Sequence, residues 1–241
     1  MSTSVPSVIE RSEPLASAAG AHSLDGLVMP HGGYRTIVAD PPWEYGAWGK
    51  PSNDRFKKSM HKTFEMPYPT MSVDEICKLP VASIAAESCD LYLWTTQKYL
   101  PNSFRVVESW GFRYCQTLTW CKTPRGTGQG GLYCPTTEFV VLARKGKMPK
   151  DKKRVETTWW NVKRPNNAHS KKPEYFQDVI EGVSDAPRIE LFARQKRLGW
   201  TTIGNEADGM DVKDSLILLA QGKHPCYGVE KHGERSDEKT V

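Results

Sequence analysis

Asp40, Pro41, Pro42 and Trp43 follow directly on the short run "RTIVA" at 35–39. A proline cannot donate to a sheet ladder, and the residue before one is pushed out of helical geometry. The strand that this run predicts therefore ends at Asp40. Beyond it stands a stiff, extended shoulder with one carboxylate, free backbone carbonyls and one large aromatic surface. That set of groups suits the gripping of a flat, amine-bearing molecule. It suits a rigid turn without chemistry as well.

The elements that must position this shoulder are legible in outline. Strands are expected over 35–40, 91–94, 112–121, 138–143, 188–192 and 200–203, from short apolar or alternating runs between turn residues. A helix opens at Ser72 with the capping-box pattern Ser72-x-x-Glu75. Others are expected over 103–110, stopped by Gly111, from Pro173 to Gly182, and over 211–220. Strand-helix alternation implies an α/β fold: a mostly parallel sheet with helices on both faces. The strands at 112–121 and 138–143 read as an antiparallel hairpin at one edge. Ligands in such sheets collect beyond the carboxyl ends of the strands. Three strand ends qualify: Asp40 to Trp43, Ala193-Arg194 after "RIELF", and Asn205-Glu206 after "GWTTIG".

With 241 residues, 38% hydrophobic and 25% charged, the chain has the composition of a globular protein with one core. No apolar run approaches the roughly 20 residues of a membrane helix. The first residues lack the continuous apolar stretch of a secretory signal, so a cytoplasmic protein is expected. Residues 1–33 read as a mobile arm, 34–220 as the folded domain and 221–241 as a mobile tail. Six cysteines without a C-x-x-C pair read as reduced thiols. The histidines have no zinc spacing, and no metal is expected.

The formal charge of +5 is unevenly placed. The segment "RKGKMPKDKKR" from Arg144 to Arg154 holds seven basic residues against one acid, and Arg55, Lys57, Lys58 and Lys62 form a second group. Such runs are solvated loops or the electrostatic footprint of a nucleic-acid binder. The letters G-x-G-x-x-G at 126–131 are not followed by a helix, so no helix N-terminus is there for a pyrophosphate. They read as a flexible hairpin loop.

The shoulder meets a definite chemical need. The exocyclic amine of adenine is a poor nucleophile because its lone pair is delocalised into the ring. A carboxylate and a proline carbonyl that accept its two hydrogens would localise that pair and point it at an electrophile. Trp43 could stack on a purine taken out of its helix, as enzymes acting on single bases require. Prolines hold the acceptors in place before reaction, so little reorganisation is needed.

With "ADPPW" at 39–43, the stretches "PYPTMS" at 67–72, "LYLWTT" at 91–96, "HSKKPEYF" at 169–176, "RIELFAR" at 188–194 and "GWTTIGNE" at 199–206 follow in order. In this the chain resembles the DPPW-type adenine-N6 methyltransferases, the family of the catalytic subunit of the eukaryotic messenger-RNA adenine methyltransferase and of bacterial and phage DNA-modifying enzymes. The resemblance spans 34–210 and implies a Rossmann-like fold that uses S-adenosylmethionine. It implies that Asp40, Pro41, Pro42 and Trp43 hold the target amine and base, with Asp40 also close to the cofactor. Tyr68 would border the methyl donor or the base, and Glu138 would stand beside the base. Ser170 and Lys172 would lie near the cofactor, Lys172 on its methionine carboxylate. Glu190 and Arg194 would contact its ribose end, and Asn205 with Glu206 would complete the pocket.

The chain departs from the pattern in two places. After "RIELF" it carries Ala193-Arg194-Gln195-Lys196-Arg197, in which Lys196 and Arg197 do not match the family's ribose contacts. The 24 residues between Trp43 and Tyr68 are longer and more basic than in the messenger-RNA enzyme. That difference leans toward DNA as the partner, with RNA or a non-catalytic role in a methyltransferase complex as alternatives. Homo- or heterodimeric assembly is compatible with the sequence.

Overall fold

A computed structural model of the chain describes residues 29–44, 69–123, 133–148, 154–165 and 171–223. Tyr68, Ser170, the glycine-rich stretch 126–131 and the basic group Arg55, Lys57, Lys58 and Lys62 lie outside the described residues, as do the arm and tail apart from 29–33 and 221–223.

Seven strands form one sheet in the order β5-β3-β4-β2-β1-β6-β7. They are β1 (Tyr34–Ala39), β2 (Ala85–Thr95), β3 (Arg113–Thr123), β4 (Thr137–Lys145), β5 (Trp159–Lys163), β6 (Arg188–Leu191) and β7 (Trp200–Ile203). All pairings are parallel except those of β4, which runs antiparallel to both β2 and β3. The carboxyl ends of six strands and the amino end of β4 therefore share one edge of the sheet. The expected hairpin exists, but it is not at an edge. Its second strand is inserted between β2 and β3, and β5, which the sequence reading missed, forms the border.

The period-two alternation of the strands sorts the core into two layers. Ile37, Ala39, Leu91, Leu93, Ile189 and Leu191 face one way. There they pack on Ile76 of α1 (Val73–Cys77), Val106 and Val107 of α2 (Leu100–Ser109), and Leu216 and Leu219 of α4 (Val212–Ala220). Val38, Tyr92, Trp94, Trp120, Val140 and Trp160 face the other way and are covered by Phe176 and Ile180 of α3 (Tyr175–Val183). Phe176 is the pin of that layer: its ring meets Trp94, Trp120 and Trp160 edge-on, with centroids 5.0, 6.1 and 5.8 Å away. Helices thus cover both faces, three on one and one on the other.

The helix starts follow local chemistry. At α1 the capping box forms, with Ser72 Oγ accepting from the Glu75 amide at 3.3 Å and Glu75 Oε2 accepting from the Ser72 amide at 2.7 Å. Asp211 caps α4 by accepting from the Lys213 amide at 2.8 Å. The helix expected from Pro173 to Gly182 begins instead at Tyr175 and passes through Gly182. It stops at Ser184, whose extended backbone ends the helical hydrogen bonding. A mid-helix glycine weakens a helix without ending it.

Arg144, the first residue of the basic run, is not part of a solvated loop. It lies in β4 and donates from Nε to Asp90 Oδ1 at 2.5 Å, while Ser184 Oγ donates to Asp90 Oδ2 at 2.8 Å. Asp90 is 2% exposed, so this pair ties β2 and β4 to the turn after α3 and adds nothing to an outer electrostatic footprint. Removing one partner of a buried ion pair strands the other charge, at about 3–5 kcal/mol. Arg144→Leu is expected to destabilise the fold by that order in urea unfolding, whereas Lys147→Leu on the exposed turn changes it by less than about 0.5 kcal/mol.

Candidate active site

The strand alternation that builds the α3-side core also delivers the polar groups at the shared edge. Asp40 follows Val38 by two positions, Lys122 follows Trp120 by two, and Glu138 precedes Val140 by two. All three side chains therefore fall on the α3 side. Lys172 enters from the segment just before α3, where Pro173 and the buried Phe176 fix its approach. Its ammonium stands 2.7 Å from Asp40 Oδ2, 3.4 Å from Glu138 Oε2 and 5.3 Å from the centroid of the Trp94 ring. Lys122 Nζ holds the other oxygen of Glu138 at 2.6 Å. The result is an alternating row, Lys122–Glu138–Lys172–Asp40.

The two carboxyls in this row are not equivalent. Burial pushes Glu138 up, but Lys172 and Lys122 together outweigh it and hold the group below the usual range. Burial dominates at Asp40 and keeps its carboxyl above the usual range; Lys172 pulls it down, and the charge of Glu138 pushes it up. Glu138 is hydrogen-bonded by two lysines, whereas Asp40 has that contact from Lys172 alone and only a weaker pull from Arg194, which does not offset its burial.

A cavity opens at the edge, lined by Asp40, Pro41, Pro42, Met71, Thr95, Thr96, Glu138 and Lys172 on one side and by Phe192, Ala193, Arg194, Asn205 and Glu206 on the other. The shoulder is rigid in two ways. Pro41 O accepts from the Trp43 amide at 2.8 Å, and Pro42 O accepts from the Met71 amide at 2.8 Å. Each carbonyl keeps one lone pair for a further donor.

Trp43, expected to stack on the base, lines the cavity and is also packed into the protein. It is 2% exposed, stacked on Tyr99 at 5.1 Å with a 17° interplanar angle, and its Nε1 donates to Trp94 O at 3.1 Å. In this structure the indole braces the shoulder against β2.

On the far side, Arg194 Nε and Glu206 Oε1 are 3.7 Å apart and join the turns after β6 and β7. These turns approach closely at Gly204, whose φ is +154°; a Cβ there would meet Ala193 O at 2.6 Å. Phe192 has a φ of 63° and sits at the cavity wall, a costly backbone state for an aromatic residue.

Glu190, expected at the ribose end of the cofactor, lies under α3. It is paired in register with Val38, so alternation turns it under α3, and it is not among the lining residues. Its Oε1 lies 3.5 Å from Gln177 Nε2. Arg197, which lacked a match in the sequence pattern, is clamped to α3 by Glu181 at 2.9 Å and Asp178 at 2.5 Å. Sequence reasoning missed Thr95, Thr96 and Lys122; the doubled threonine ending "LYLWTT" was the available signal for the first two. Among the described residues no cluster of His, Cys, Asp and Glu could hold a metal, and no helix is long and apolar enough to cross a membrane.

The MT-A70 family model matches residues 34–206. The chain belongs to the MT-A70 family. It is 35% identical over 188 residues to the type II methyltransferase M.MunI of Mycoplasma sp, covering 74% of this chain and 79% of that protein. It is 26% identical over 207 residues to the N(6)-adenosine-methyltransferase subunit METTL3 of Danio rerio and 27% over 210 to the N(6)-adenine-specific methyltransferase METTL4 of Homo sapiens. It spans 32% and 40% of the lengths of these two. The family match contains Asp40, Glu138, Lys172, Arg194, Asn205 and Glu206, and so most of the cavity wall.

Burial, and then the charge of Asp40, push the Glu190 carboxyl from 4.5 up to about 7. Its protonated form is favoured by the fold. The stability this group contributes is therefore complete below its unfolded value and is lost as pH rises through about 7. Glu190→Gln keeps the uncharged shape. The variant is expected to melt with the wild type near pH ~4 and above it near pH ~8 in a thermal unfolding series.

Proposed function

We propose that this MT-A70 protein transfers a methyl group from S-adenosylmethionine to the exocyclic N6 amine of adenine in DNA, with residues 34–220 as the working domain. The observation that carries the reading is the Asp40-Pro41-Pro42 shoulder, held rigid at the mouth of a cavity within the family-matched region.

The lining residues fit the cofactor in their chemistry. Lys172 offers a cation for a carboxylate, Asn205 and Glu206 offer an amide and a carboxylate for ribose hydroxyls, and Asp40 offers an anion near a sulfonium. Arg194 holds Glu206 in place from the neighbouring turn. Tyr68 and Ser170 belong to the same reading through the sequence resemblance. When bound, S-adenosylmethionine supplies a methyl group on a positively charged sulfur.

The protein's own part is to present the amine. Ionised Asp40 and the free lone pair of Pro41 O each accept one N6 hydrogen, which concentrates the nitrogen lone pair toward the methyl donor. As the new carbon–nitrogen bond forms and the carbon–sulfur bond breaks, the nitrogen becomes positive. The proton it then sheds leaves along the hydrogen bond to Asp40. Lys172 favours the ionised state that this acceptor role needs. Glu138, kept charged by two lysines, adds negative potential where positive charge develops on the base.

DNA is favoured over RNA because identity to the type II methyltransferase exceeds that to the METTL3 and METTL4 proteins and covers most of its length. The basic stretch between Trp43 and Tyr68 supports the same choice. In an assay with methyl-labelled cofactor, the wild type is expected to label adenine-containing DNA in preference to RNA of the same sequence. Asp40→Ala is expected to lose about 10²–10³-fold of that rate. Equal labelling by both proteins would contradict the mechanism, and preferential labelling of RNA would contradict the substrate.

A further inference from the structure

The end of β2 carries two hydroxyl groups that the fold does not use. Thr95 Oγ1 and Thr96 Oγ1 are buried and have no hydrogen-bond partner among the described residues. Thr95 is 2% exposed, and both residues line the cavity. A buried hydroxyl left unpaired costs free energy, and nearly all such groups in folded proteins find a partner. Valine would occupy the same volume without that cost, so the hydroxyls have no packing rationale.

Their position suggests what completes them. Leu93 is in register with Ala39, so Thr95, two residues on, stands beside the Asp40-Pro41 shoulder. Thr95 is also in register with Phe139, which places the doubled threonine next to Glu138. Alternation turns Thr95 to the face of Leu93 and Thr96 to the face of Trp94, so Thr96 is the hydroxyl that shares its face with Asp40 and Glu138, on the part of the wall where the target base is held.

A count of donors and acceptors narrows the partner further. Adenine offers its N6 hydrogens as donors and its ring nitrogens as acceptors. Asp40, Glu138 and the two proline carbonyls can only accept, so they serve the amine and cannot serve a ring nitrogen. Lys172 spends two of its donors on Asp40 and Glu138, and in the reading above its third serves the cofactor's carboxylate. The Thr96 hydroxyl supplies a donor that this wall otherwise lacks.

We propose that the hydroxyl of Thr96 donates a hydrogen bond to a ring nitrogen of the target adenine, making the end of β2 the element that reads the base while Asp40 and Pro41 hold its amine. This rests on the adenine-N6 reading above. Thr96 is thereby a specificity residue that touches the substrate and leaves the cofactor alone.

The test compares wild type, Thr95→Val, Thr96→Val and the hydroxyl-retaining Thr95→Ser and Thr96→Ser. The substrates are DNA in which adenine is native, replaced by 7-deazaadenine, or replaced by 1-deazaadenine. Cofactor affinity is measured alongside by calorimetry. Thr96→Val is expected to lose about tenfold in kcat/KM on native DNA. It should lose nothing further on the base that lacks the matching nitrogen, recover with serine, and bind S-adenosylmethionine as the wild type does. A wild-type rate in Thr96→Val would overturn the assignment. So would an equal loss on all three bases, or a parallel loss of cofactor affinity. Absence of methyl transfer to any adenine by the wild type would remove the adenine-N6 reading itself, and this assignment with it.

Discussion

The site depends on one ammonium group shared by two carboxylates. Without Lys172, Asp40 and Glu138 would face each other across a poorly hydrated edge, and the fold would favour a proton on one of them. With it, the row Lys122–Glu138–Lys172–Asp40 alternates in sign, and each charge has a neighbour that offsets its desolvation. Such a row is not a source of great stability, because desolvation consumes most of the Coulomb gain. It supplies fixed places for acceptors that would otherwise repel, so the shoulder is ready before the base arrives.

The topology can be understood as the means of assembling that row. Asp40 comes from β1, Lys122 from β3, Glu138 from β4 and Lys172 from the approach to α3. A parallel sheet alone would bring only strand ends to the edge. The reversal of β4 adds a strand beginning there, and with it Glu138. The aromatic layer of Trp94, Trp120 and Trp160 under Phe176 fixes α3 and so the height of Lys172. Exposed charge pairs could not do this, since they bind too weakly to set a side chain in one place.

Sequence patterning revealed the elements whose cause is local. The prolines that end β1 and the capping box at Ser72 are decided by neighbours in the chain, and they stand where expected; the Asp211 cap, at the first residue of the helix expected over 211–220, is equally local. Pairing partners are not decided locally. Nothing in "WWNVK" says that it borders β3, and nothing in the hairpin says that β4 must slip between β2 and β3. The same limit separates the site residues. Asp40, Glu138, Lys172, Arg194, Asn205 and Glu206 were reached through ordered motifs, and the cavity gathers them. Motif order carries no information about which face of a strand a side chain takes, so it did not show that Trp43 stacks on Tyr99 or that Glu190 lies under α3. Lys122 was invisible, since one lysine in a strand looks like any other until Glu138 is found 2.6 Å away.

The central claim is that Lys172 keeps Asp40 in the acceptor state that methyl transfer needs. The most direct measurement is the pH dependence of single-turnover methyl transfer at saturating S-adenosylmethionine, in the wild type and in Lys172→Met. The account predicts that the rising limb of the profile moves to higher pH in the variant, because the carboxyl has lost the cation that draws it down, while the rate at high pH recovers part of its loss. A rising limb at the same pH in both proteins would contradict it.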